Sequence, residues 1–206
     1  MHTKRSVCFI MNETRDYIIE KAYGLFLNKS YEAVSISDLS NAIGLTKGAI
    51  YHHFRSKEDI FMAVIDKYLI IDQIDIDPNG ITFREFIELC IQKAEGIIKQ
   101  VLSTTQNYIP IDFLSLIIDA LRHYPGFTEK KNDLVKSDLD NIKEMLDRAA
   151  ASGEIRSDIN TTVMAEIFFT LNIGVARNLI LSDLNTESAI ALMREQLNEF
   201  YRLLMK

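Results

Sequence analysis

The 206 residues carry 23 Lys and Arg against 29 Asp and Glu, a formal charge of −6, with 48% apolar residues. Such a chain can bury a core, as one domain or as a small one and a larger one, and its composition excludes general disorder. Two cysteines, Cys8 and Cys90, make no disulfide framework and share no metal-ligand spacing with the four histidines; no metal or cofactor is expected, and a reducing cytoplasm is.

Along the chain, residues 1–12 pair Lys4 and Arg5 with no long apolar core, so they read as no signal peptide and as poorly ordered, and the start is left open between Met1 and Met11. Ile18, Ala22, Leu25 and Phe26 set a first helix over about 13–28. Ser35 can cap a second, whose Ile36, Leu39 and Ile43 form one apolar stripe, and Gly44 sits where the chain must turn. Thr46 can cap a third helix with Ile50 and Phe54 on its inner side. A fourth runs from Ser56 through Met62, Ile65 and Leu69 toward residue 72. Asp75 to Gly80 is the clearest breaker. Thr82 starts a fifth helix with Phe86, Cys90, Ala94 and Ile97 on one side. Pro110 and the Tyr124-Pro125-Gly126 turn bracket a sixth, a seventh reaches about Ala151, and Thr161–Ser182 and Thr186–Met205 are the last two. The class is therefore all-α, about nine helices: a three-helix head with a helix-turn-helix (1–60) and a C-terminal helical bundle (61–206).

Charge is split along the same line. Residues 1–60 sum to +1 and residues 61–206 to −7, so the acidity belongs to the bundle. The free face of the third helix carries Lys47, Gly48, Tyr51 and His52: a cation, a bare backbone and two ring donors. These groups suit phosphates and base edges, as a helix in the major groove requires. Ser35, Thr46 and Lys57 complete the candidate DNA face, with Lys57 as a phosphate contact and the first amides of the fourth helix turned to a phosphate. His53 points elsewhere and reads as packing or a neutral surface group.

The run Thr46 to Phe54, TKGAIYHHF, followed by SKEDIF at 56–61, resembles the recognition helix and fourth-helix start of TetR-type transcriptional regulators. Residues 151–158, ASGEIRSD, resemble that family's loop between its seventh and eighth helices. Two positions depart from the pattern. Ser30 stands where glycine is usual, at a cost of about 1 kcal/mol if the backbone is left-handed. Ser40 replaces an alanine, with its hydroxyl expected to bond back along the helix.

The eighth helix is apolar nearly all round, which points to burial on several sides. With the amphipathic ninth, it reads as half of an intermolecular four-helix bundle, as the resemblance also implies. Phe168, Leu171, Val175, Met193, Leu197 and Phe200 are its expected interface, aided by Gly174 and Ala176. Asn172 and Arg177 would pair across it rather than hold a ligand. Its stretch 163–181 is interrupted by Glu166, Asn172, Arg177 and Asn178, so it should not span a bilayer. The resemblance places an effector cavity around helices four to six, where Tyr68, Phe86, Cys90 and Ile117 lie on apolar sides, although Cys90 also fits as a small buried core residue.

No catalytic arrangement is legible: there is no supported nucleophile triad, carboxylate pair or phosphate-cradling loop. The expected function is a cytoplasmic homodimeric regulator, most simply a repressor, that binds a palindromic double-stranded operator and releases it when a small-molecule effector binds. The alternatives are an all-helical enzyme or carrier, and a DNA-binding factor without an effector.

Overall fold

Apolar residues at intervals of three and four dominate the chain, and the structure, a computed structural model, turns them into helices throughout the residues it describes, 3–70, 80–103, 110–181 and 185–206. Among those residues there is no strand, and the helices are α1 (Thr3–Asn28), α2 (Ile36–Ile43), α3 (Lys47–His53), α4 (Lys57–Tyr68), α5 (Phe83–Ser103), α6 (Pro110–His123), α7 (Phe127–Ser152), α8 (Thr161–Leu181) and α9 (Thr186–Leu204). Helix α1 begins about ten residues earlier than its apolar spacing suggests, at Thr3. No glycine or proline precedes Gly24 to stop it. The breaker at 75–80 lies outside the described residues except for Gly80.

The helices group into two compact units, α1–α4 with α6, and α5 with α7, α8 and α9. No boundary falls at residue 60, because α4 runs Ile60, Phe61, Val64, Ile65 and Tyr68 without interruption into the core of the first unit. Those side chains meet Ile18, Ala22, Tyr23 and Phe26 of α1, and α6 packs on both helices, burying Leu116 and Ala120. Leu25, Met62 and Leu69 are only half-buried.

In the second unit the loop at 151–158 is an anchor. Gly153 takes φ +79°, Ile155 is fully buried, and Arg156 donates its backbone N–H to Leu204 O at 2.8 Å. Between them Glu154 turns its carboxylate onto the first amides of α5, Phe83 N at 3.0 Å and Arg84 N at 3.1 Å, and also accepts from Tyr201 Oη at 3.0 Å. A negative charge on unpaired helix-start amides is favourable both as hydrogen bond and against the helix dipole. Thr82 and Glu85 add a reciprocal capping pair at the same end.

Helices α8 and α9 pack together, and the side chains expected at a subunit interface lie in or against this unit's own core. Phe168, Val175, Met193, Leu197 and Phe200 are buried in the unit's own core, and Leu171 packs half-buried against it. A helix apolar all round does not reveal in sequence which face goes inward. Among the described residues, the large apolar ones that α8 leaves exposed are Val163, Ile167 and Ile173, the last two at 40% and 54%. A Cβ built on Gly174 would meet nothing within 4 Å. Asn172 is half-buried near the Cys90 thiol. The side chains of Ala176 and Arg177 lie outside the described residues.

Candidate nucleic-acid interface

Three short-range devices shape residues 35–57. Ser35 caps α2 in a reciprocal box: its hydroxyl accepts from Asp38 N at 3.1 Å while Asp38 Oδ2 accepts from Ser35 N at 2.9 Å. Gly44 closes the helix in the left-handed region at φ +76°, its N–H on Ser40 O, where a side chain would be strained. Thr46 Oγ1 then caps α3 by accepting from Ala49 N at 3.2 Å. Ser40 does not bond back along its helix. Its hydroxyl reaches forward across the turn to Leu45 O at 2.6 Å, supplying a carbonyl that the turn leaves without a helical partner. No non-glycine among the described residues has positive φ, so Ser30 carries no left-handed strain.

With Ile50 and Phe54 buried beneath it, α3 exposes Lys47, Gly48, Tyr51 and His52, and Thr46 and Ser35 are exposed at its approach. Tyr51 is 48% exposed, a large ring turned partly to water. A Cβ on Gly48 would approach only Thr46 Oγ1, at 4.0 Å, so nothing within the chain requires a glycine there. His53 is half-buried, edge-on to His52, and burial holds its imidazole below the usual 6.5, with His52 and Arg15 adding to the effect.

Lys57 is placed differently from the sequence expectation. Its Nζ donates to Tyr31 O at 2.8 Å and Val34 O at 2.9 Å and sits 4.1 Å from the Tyr31 ring centre. The ammonium ties the start of α4 to the loop before α2, with one of its three protons left over for a phosphate. At the start of α4, Ser56 Oγ accepts from Asp59 N, and Asp59 Oδ2 accepts from Arg55 N at 2.9 Å, so an acidic side chain already sits at this helix end. Sequence reasoning missed Tyr17, whose hydroxyl donates to Ile43 O at 3.4 Å, and Tyr31 as the seat of Lys57; no local pattern marks either.

Residues 18–64 match the family model for bacterial regulatory proteins of the tetR family. The match runs from within α1 to within α4 and takes in the whole helix-turn-helix. The chain is 32% identical over 110 residues to the transposon Tn10 TetC protein of Escherichia coli, an alignment that spans about half of each, 51% of this chain and 53% of TetC. It is 28% identical over 155 residues to the transcriptional repressor AcnR of Corynebacterium efficiens, 73% of each chain. Its fold is that of NalD, the secondary repressor of the MexAB-OprM multidrug efflux pump in Pseudomonas aeruginosa, with a TM-score of 0.63 over 95% of this chain and 98% of NalD at 17% identity. The exposed face of α3 lies wholly inside the matched segment.

The four residues expected around an effector divide between the units. Tyr68 and Ile117 belong to the first, where Tyr68 is buried and stacks on Tyr23 with centroids 3.8 Å apart, and burial pushes its hydroxyl up to about 12. Ile117 is half-buried. Phe86 and Cys90 belong to the second. Phe86 lies against the rings of Phe83 and Phe168, and burial pushes the Cys90 thiol up to about 12, which makes it an inert core residue at neutral pH. Near that thiol stand three half-buried polar side chains: Lys93 of α5, Asp138 of α7 and Asn172 of α8. Burial raises the Asp138 carboxyl above its ordinary range, against the opposing pull of Lys93.

Proposed function

We propose that this protein is a DNA-binding transcriptional repressor that holds a palindromic operator as a homodimer and lets it go when a small molecule occupies the unit of α5, α7, α8 and α9. The observation that carries the reading is the α3 face. Lys47, Gly48, Tyr51 and His52 are exposed on a helix fixed by two side-chain caps and a left-handed glycine, inside the segment that matches the family. Phosphate-seeking donors around a bare backbone position fit a major-groove approach. The +1 charge of residues 1–60 means that affinity comes from placed groups, with a moderate dependence on salt.

Dimerisation is assigned to the outer face of α8, where Val163, Ile167 and Ile173 would leave apolar surface in water in a lone subunit. Gly174 permits close approach on that helix. The effector is assigned to the surroundings of Cys90, where Lys93, Asp138 and Asn172 give an apolar core a polar corner suited to a mainly apolar compound with one or two polar groups. The chain acts as a switch and not as an enzyme, and works in the cytoplasm. No helix among the described residues is long and apolar enough to cross a membrane.

Selection from a random-sequence duplex pool tests the reading. Enrichment of a two-fold symmetric duplex, and its release in a gel shift by members of a panel of amphipathic compounds, are expected. Failure to enrich any duplex would overturn DNA binding. Binding that no compound relieves would remove the effector alone.

A further inference from the structure

Among the described residues Asp119 alone is a buried charged side chain, 7% exposed on α6. Its Oδ2 accepts the backbone N–H of Tyr31 at 2.7 Å, across 88 residues of chain. Tyr31 opens the turn that leads into the Ser35 cap of α2. That turn's own backbone bonds run from Ala33 to Ser30 and from Val34 to Tyr31, so the Tyr31 amide is left to a side chain. The other groups of Tyr31 are held as well. Its carbonyl accepts from Lys57 of α4, and its ring meets the His123 ring of α6 at 4.5 Å and Phe61 of α4 at 4.7 Å. Just past the end of α6, Tyr124 Oη donates to Asp66 of α4 at 2.8 Å, and at that end His123 Nε2 lies 3.7 Å from Glu32.

We infer that Asp119 is a positioning residue for DNA binding: by holding the Tyr31 amide, its carboxylate fixes the entry of α2, and with it α3, onto α6. The inference rests on the DNA-binding reading above. A charge-assisted bond at a buried site is strong and directional, and leaving either partner alone there is costly, so the turn has one favoured place against α6. Helix α2 begins at Ile36, five residues after Tyr31, and α3 follows through the Gly44 turn, so freedom at Tyr31 becomes freedom of the DNA-facing helix. A freed head would fit several half-site spacings instead of one. Its affinity for the best spacing would fall, because ordering would then occur on binding.

The probes are the duplex most enriched by wild-type protein from a random pool, and versions with its half-sites moved together or apart by one or a few base pairs. Fluorescence anisotropy reads affinity, and urea unfolding reads stability. Asp119→Ala should bind the best duplex about tenfold or more weakly and discriminate poorly among spacings, while Asp119→Asn, which keeps an acceptor, should restore the wild-type spacing profile. A folded Asp119→Ala with wild-type affinity and spacing profile would overturn the inference. Should Asp119→Ala not fold, Asp119→Leu fills the same space without an acceptor and is held to the same outcomes; two unfolded variants would show that the carboxylate serves the fold alone and would overturn it too. If wild-type protein enriches no duplex, the DNA-binding reading falls and this inference with it; a loss confined to the variants concerns Asp119 only.

Discussion

Gly48→Ala separates stability from DNA binding at one atom. Nothing in the chain opposes the new methyl, since its nearest neighbour would be Thr46 Oγ1 at 4.0 Å, an ordinary contact. Glycine inside a helix costs up to about 1 kcal/mol relative to alanine, and a second-position residue of a short helix recovers about half of that. For a chain of this size that is a rise in Tm of about 1–2 °C. On DNA the sign reverses. Gly48 lies on the exposed face of α3 beside Lys47, Tyr51 and His52, and a methyl forced between helix backbone and a groove surface costs about 1–3 kcal/mol by overpacking. Affinity should fall about 5- to 150-fold. Thermal unfolding by circular dichroism and anisotropy titration of the selected duplex read the two effects. A protein that is more stable and binds unchanged would show that DNA does not approach α3 at Gly48.

Three further outcomes follow from particular contacts. Glu154→Ala strips the α5 amides of Phe83 and Arg84 and the Tyr201 hydroxyl of their acceptor, and should cost about 2–3 kcal/mol in urea unfolding, with Glu154→Gln losing less; a change below about 0.5 kcal/mol would contradict the anchoring role. Ile167→Glu puts a charge on the exposed apolar face of α8 and should give folded monomers in sedimentation, whereas an intact dimer would place the subunit contact elsewhere. His53 binds its proton less readily folded than unfolded, so stability is full above the ordinary 6.5 and declines as pH falls through it. The urea midpoint should therefore drop between about pH 7.5 and about pH 5.5, and drop less in His53→Gln; a midpoint that rises on acidification would contradict the burial of this imidazole.

What could be read from sequence was local. Caps at Ser35 and Thr46 and the Gly44 turn involve partners within five residues, so their chemistry is written in adjacent letters. The helix ends from Phe127 to Leu204 fell within a residue or two of expectation for the same reason. What could not be read depends on partners far along the chain. Lys57 looks like a free cation until Tyr31 and Val34 are folded beside it. Asp119 is one carboxylate among many until α6 packs on the first unit. Glu154 lies in a loop whose resemblance to a family motif was visible, but its work as a cap for α5 lies 70 and 71 residues away. On α8 the difficulty was different: uniform apolarity supplies no phase, and Phe168 and Val175 went to the chain's own core while Ile167 and Ile173 stayed outside.

The central claim is that α3 lies in the major groove of a symmetric site, two heads to one duplex. Affinity cleavage tests it most directly. A chelated iron is attached at His52→Cys in a Cys8→Ser background, Cys90 being buried and unreactive, and the complex with the selected duplex is triggered to cleave. Two clusters of cuts related by the duplex's two-fold axis are expected, with centres about one helical turn or a multiple of it apart. Cleavage in a single cluster, or uniform cleavage along the duplex, would contradict the claim.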